Sequence, residues 1–160
     1  MATYTDALGF DKGSAGFHAA GLNKVHRVEV TLDFAKIAAA RSAAGATALA
    51  ASDVLEVIPL PAKSLVMRVG MNVTTAEGAT ATLAIGDGSD DDGYLAATSI
   101  NAVAGSSAAV ALTEGTPNTF TTPYAVGKYY DAADTIDVKL GHNSIDAAVV
   151  RVWALVMDCS

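Results

Sequence analysis

The sequence predicts an all-β fold, a sandwich or a barrel, and three observations point there. About eight stretches alternate apolar with polar residues or run apolar over strand lengths, and turn signals separate them at the spacing of an antiparallel sandwich. No regular succession of strand and helix is present, which speaks against a doubly wound parallel sheet. The apolar residues, 51% of the chain, are mostly Ala and Val with few aromatics, which suits thin, closely packed layers. No internal repeat of fixed period interrupts this picture.

Residues 1–24 read as an extended N-terminal arm and 25–160 as the β-sandwich domain. The arm holds Gly9, Gly13, Gly16 and Gly21, and its large anchors are Phe10 and Phe17. Such a segment docks on its own domain or on a neighbour. VHRVEVTLDF then alternates: Val28, Val30, Leu32 and Phe34 face one way, Arg27, Glu29, Thr31 and Asp33 the other. The Ala-rich stretch that follows places Phe34, Ile37 and Arg41 at helical spacing, with Gly45 as a stop, and predicts a short helix over 35–43. An Ala-rich loop on the rim of a sheet is the competing reading.

From Ser52 onward the pattern is of strands. DVLEVIPL is a short strand ended by Pro59 and Pro61. In SLVMRVGMNVT, Leu65, Met67, Val69, Met71 and Val73 are expected inward, and Arg68, Asn72 and Thr74 outward. ATATLAIGD turns Ala81, Leu83 and Ile85 inward, and GYLAATSI returns. A weak strand near Ala108 to Leu112 and an aromatic loop, TPYAVGKYYDAAD, come next. DTIDVKL, with Ile136, Val138 and Leu140 inward, and DAAVVRVWALVMD complete the set.

The last strand is apolar on both faces. Val150, Val152, Ala154 and Val156 cover one; Val149, Trp153, Leu155 and Met157, interrupted by Arg151, cover the other. An antiparallel strand normally shows one face to water. The N-terminal arm or another subunit is therefore expected to cover the second face, and a Trp beside an Arg favours the subunit.

The net charge of −7 argues against nucleic acid or an anionic membrane as the main partner, because the ten basic residues form no cluster in sequence. Cys159 is the single cysteine, so the fold holds by packing alone. MATYTDALGF has neither the basic start nor the apolar block of a signal peptide, and no stretch reaches a membrane span of roughly 18 residues. A soluble protein made in a cytoplasm is the expectation.

The stretch AIGDGSDDDGYLAATSI carries the strongest hint of chemistry. As a calcium loop counted from Asp87, its sixth residue is Asp92 instead of Gly and its twelfth is Thr98 instead of Glu. As a dinucleotide loop it has Asp91 where a third glycine belongs, and four acids that would repel a pyrophosphate. A hairpin turn is the favoured reading, since Gly and Asp tolerate left-handed backbone angles. A loose Ca²⁺ site on Asp87, Asp90 and Asp92, or a polar contact to a partner, remain as alternatives.

Other sites are weaker. His18, His26 and His142 show no zinc spacing. Ser14 lacks the elbow of a serine nucleophile, and Cys159 is too near the end for a rigid base around it. Glu29, Glu56, Glu77 and Glu114 fall at strand-outward or turn positions, where solvated faces explain them. Asn72-Val73-Thr74 spells a glycosylation sequon that a cytoplasmic product does not use. Tyr124, Tyr129 and Tyr130 cluster outside the core pattern; they stack on a sugar, fill a pocket on a protein, or pack under their own loop.

The order of these motifs resembles small virion structural proteins of tailed bacteriophages, of the capsid decoration or cement type. The residues that carry the resemblance are Pro61 to Val66 before a long strand, Ile85 to Tyr94 at the hairpin, and Ala133 to Ile136 before the closing strands, within a span of roughly 26–157. The resemblance implies a jelly-roll-like β-sandwich, often trimeric, with no enzymatic activity and no cofactor. It would bind the outer capsid surface and clamp neighbouring subunits of the major capsid protein. The interface residues expected are Phe10, Phe17, Arg151, Trp153, Leu155, Tyr124, Tyr129 and Tyr130. The other reading is a carbohydrate- or receptor-binding module of a head fibre or tail, which would use the three tyrosines.

Overall fold

A computed structural model describes residues 3–4, 25–102, 113–114, 127–142 and 145–159. Its elements are β1 (Thr3–Tyr4), β2 (Val25–Asp33), α1 (Phe34–Ala43), β3 (Val54–Leu60), β4 (Ser64–Thr75), β5 (Thr82–Asp87), β6 (Asp90–Ser99), β7 (Thr113–Glu114), β8 (Lys128–Tyr130), β9 (Asp134–Leu140) and β10 (Val149–Asp158). One sheet has the order β1-β3-β9-β5-β6. The other runs β2-β10-β4, with β7 and β8 both paired to the far edge of β4. Every pair is antiparallel except β1 with β3. The all-β sandwich expected from the alternation is the observed architecture.

The inner faces of the two sheets form one apolar core. Val150, Val152, Ala154 and Val156 of β10 lie fully buried against Leu55, Ile136, Val138, Leu83 and Ile85 of the facing sheet. The helix has a local cause. Asp33 leaves β2 with extended angles, and its Oδ1 accepts from Lys36 N at 3.1 Å, an N-cap that starts α1. Phe34, Ile37 and Arg41 are the buried side of the helix, at the spacing the sequence showed. Arg41 donates from Nε to the Thr47 carbonyl at 2.8 Å, which ties down the loop after Gly45.

Bulges decide which residues face the core. Between β4 and β10 the register passes from Leu155↔Arg68 to Val156↔Val66, so Met67 is an extra residue in β4. The phase flips there. Leu65 and Met67, expected inward, lie outside the core, and Val66 takes the inward place. Val57 is extra in the same way in β3, which lets the consecutive Val57 and Ile58 both be buried. A second correction concerns the stretch expected as an aromatic loop: its residues 128–130 form β8. Phe10, Phe17, Tyr124 and the weak strand at 108–112 lie outside the described residues.

Candidate interaction surface

The aspartate-rich stretch is a hairpin, and its four acids have different roles. Asp87 and Asp90 pair across the turn made by Gly88 and Ser89. Asp87 Oδ1 accepts from the backbone N–H of Ser89 at 2.8 Å and of Asp90 at 3.2 Å, a side-chain-mimicked turn. Gly86 is required just before it: a Cβ there would stand 1.9 Å from the Asp90 carbonyl oxygen. The other oxygen of Asp87 points between the sheets. It accepts from the Tyr130 hydroxyl at 2.5 Å and forms an ion pair with Lys128. The Tyr94 and Tyr130 hydroxyls are 2.6 Å apart.

Asp87, with no exposed surface, therefore ties β5 to β8 across the core boundary. Burial alone would raise its carboxyl, but the bonds from Lys128, Tyr130 and Ser89 outweigh it and hold the group below its ordinary range. Burial first, then Tyr94 and Asp87, keep the Tyr130 phenol protonated far above its ordinary value. This network uses the oxygens of Asp87 that a loose Ca²⁺ site would need. Among the described residues no three His, Cys, Asp or Glu side chains converge as a ligand set. The remaining acids stay near the surface: Asp91 pairs with Lys139 at 2.8 Å, and Asp90 beside it raises the Asp92 carboxyl.

Two further carboxylates were not legible as buried. Glu77, expected on a solvated turn, is buried instead. It accepts from the N–H groups of Asp146, Ala147 and Ala148 at 3.2, 3.1 and 2.8 Å, and so holds the loop that leads into β10. Asp137 faces outward on β9 beside Glu56, yet it too is buried. Burial pushes its carboxyl up to about 7 against the 2.6 Å bond from the Thr135 hydroxyl, and Glu56 and Asp134 add to the rise.

The outer face of β2, β10 and β4, with β8 at its edge, holds four of the interface residues expected from the sequence: Arg151, Trp153, Leu155 and Tyr129. The ladder sets them in rows. Val25, Met157, Leu65 and Tyr129 stand in register across β2, β10, β4 and β8. The next row is Arg27, Leu155 and Arg68; the next is Glu29, Trp153 and Gly70; then come Thr31, Arg151 and Asn72. The large apolar side chains most open to solvent among the described residues are Val25 at 49%, Met67 at 45% and Tyr129 at 50%, and all three belong to this face. Among the described residues its apolar end therefore carries the exposed apolar area.

Trp153 is a different case. It is 6% exposed within the single chain. Gly70 opposite leaves room for the indole, and the Arg27 guanidinium lies 5.5 Å over the ring. Glu29 sits between two arginines, 3.0 Å from Arg27 Nη2 and 3.8 Å from Arg151 Nε. The chain itself covers this Trp, where the sequence pointed to another subunit. Among the described residues Asn72 Oδ1 and Arg151 Nε have no hydrogen-bond partner, and they belong to neighbouring positions on this face. Tyr130 requires a correction: it is buried in the Asp87 network, so of Tyr129 and Tyr130 only Tyr129 is exposed.

No family model matches the sequence, and no curated protein matches it. Solved structures do share the fold over nearly the whole chain. A chain in the acidic stable capsid structure of Helicobacter pylori bacteriophage KHP30 superposes with a TM-score of 0.54 at 11% identity, covering 88% of this chain and 90% of that one. A chain in the capsid of Ralstonia phage GP4 gives 0.52 at 16% identity, covering 89% and 88%. A chain in the cyanophage Pam1 capsid asymmetric unit gives 0.51 at 18% identity, covering 99% and 92%. At these identities the likeness is one of fold.

Proposed function

We propose that the protein is a non-enzymatic structural component of a phage virion: a decoration subunit that binds the outer capsid surface and braces contacts between major capsid protein subunits. The observation that carries this reading is the end-to-end fold likeness to chains of three phage capsids, each of comparable length. The strand orders β2-β10-β4-β8 and β3-β9-β5-β6 support a jelly-roll connectivity.

The mechanism is burial of modest surfaces, repeated by the capsid lattice. Each contact is weak, but symmetry multiplies it, and a subunit that spans two capsid proteins gains from both ends at once. Thr3–Tyr4 of the N-terminal arm pair with β3 of their own chain, and the stretch that follows, with Phe10 and Phe17, reaches onto the capsid protein or a sister subunit in this reading. The subunit is a homotrimer in this reading. Deletion of residues 1–24 should lower capsid occupancy while the sandwich still melts cooperatively. Full occupancy by the armless protein would remove the arm from the mechanism.

A sugar- or receptor-binding role is disfavoured. It would need a platform of exposed rings. Tyr130 is turned into the Asp87 network, which leaves Tyr129 as the exposed ring of the described pair.

A further inference from the structure

A sheet edge is a row of unpaired backbone N–H and C=O groups, and a chain that does not use an edge guards it. The far edge of β4 is covered by β7 and β8. The β3 edge is met by β1 at Val54 and Leu55, and the bulge at Val57 and Pro59 disrupt the rest of it. The β6 strand opens with Asp90, Asp91 and Asp92, and its register with β5 is irregular. β2 has none of these guards. Among the described residues it ends its sheet, with β10 as its neighbour on one side. Its ladder with β10 runs from Val25 to Asp33 without a shift, and it holds no Pro, Gly or Lys.

Two copies of this edge join with their outer faces on the same side in one way: antiparallel, about a two-fold axis normal to the sheet. The axis must pass through a residue position, because an axis between two residues would set inward side chains opposite outward ones. Through Arg27 it brings two arginines together, and through Glu29 two glutamates; like charges directly opposite are unfavourable. An axis at Val30 would carry Asp33, which caps α1, and so the start of the helix into the joint. An axis at His26 pairs little of the described strand. Through Val28 the axis sets Arg27 opposite Glu29 of the partner twice, Val25 opposite Thr31, and Val28 against itself on the inner face.

We propose that the β2 edge joins β2 of a second copy in this register and extends the β2-β10-β4 sheet across a two-fold axis. The same strand serves on both sides of such a contact. The backbone ladder over 25–31 supplies the affinity, as in other strand additions, and the charges supply the register. Arg27 keeps the Glu29 of its own chain at 3.0 Å and gains the partner's Glu29. The contact goes beyond the decoration reading: in a lattice of such subunits it ties one decoration unit to the next.

The test uses the full chain. Light scattering over a range of concentration should show the mass doubling. Over the same range, hydrogen exchange in peptides from 25–33 should show protection of the alternate amides that do not bond to β10. Arg27→Glu and Glu29→Arg each set like charges opposite one another across the axis, and each should weaken association about tenfold. Mixed one to one, the two variants should associate as tightly as the native chain, because their charges are then complementary at both pairs. Melting curves verify the fold of each variant, and the exchange measurement on the native chain stands without them. A monomer at every concentration overturns the proposal. So does protection of those amides in a monomer, where the same chain covers the edge, and protection that appears only with phage heads, where a capsid strand covers it. Two folded variants that fail to complement each other overturn the register.

Discussion

On the outer face of β3, β9 and β5, Val54, Asp137 and Ala84 are buried although the core lies on the opposite side. On the outer face of β2, β10 and β4, Val25, Met67 and Tyr129 stand open to water. The first face completes its interactions within the chain: Lys139 pairs with Asp91, and Thr135 bonds Asp137. The second leaves apolar area exposed among the described residues and sets Arg27 and Arg151 around Glu29. A polar group that is buried and satisfied serves the fold, whereas exposed apolar area serves a partner. Substitutions on the two sides should therefore fail in different assays.

The largest effect should come where the two sheets are tied together. Asp87→Ala leaves Lys128 and Tyr130 without their acceptor, and loss of one member of a buried ion pair costs about 3–5 kcal/mol. For a chain of this size that lowers Tm by about 10 °C, read by calorimetry. A drop of a degree or two would mean that Lys128 and Tyr130 find other acceptors. Next comes Glu77→Ala. Three backbone N–H groups lose their carboxylate, and urea unfolding should show a loss of about 2–3 kcal/mol.

Asp137 sharpens the comparison through pH. Its carboxyl in the fold titrates at about 7, above the ordinary 3.8, so the fold binds this proton more tightly than the unfolded chain. Stability from this group is complete at low pH and is lost as pH rises through about 7. Asp137→Asn should match the native protein near pH 4 and exceed it at pH 8, as followed by denaturant midpoints. Equal midpoints at both pH values would mean that Asp137 is ionised in the fold. The smallest effect on stability should be that of Tyr129→Ala, within about 0.5 kcal/mol, because the ring is half exposed. Its loss should instead appear in association with other subunits.

Strand periodicity carried most of this fold in plain view. β2 alternates in burial, and in β2, β5, β9 and β10 the inward residues named from the pattern are buried, although β5, β9 and β10 bury residues of the other phase as well. The helix was legible because Phe34, Ile37 and Arg41 kept helical spacing, while the cap that Asp33 supplies went unread. The misreading of Leu65 and Met67 has one cause: a single bulge reverses the phase, and both phases of that stretch are apolar enough to fit. The Asp87 network was invisible for another reason. Its partners, Lys128 and Tyr130, lie 41 and 43 positions away on the other sheet, and no local pattern encodes such a pairing. The one usable sign was that Lys128 and Tyr130 sit two apart, on one face of a strand. Glu77 was read as solvated because turn residues usually are; the amides of 146–148 that bury it come from the far end of the chain.

The most direct test of the account is sedimentation of the purified chain with phage heads from which surface proteins have been stripped, at physiological salt. The account predicts saturable binding at a fixed number of copies per lattice position, together with heads that release their DNA at a higher temperature once decorated. A folded protein that stays in the supernatant at saturating concentration, with intact heads in the pellet, would contradict it.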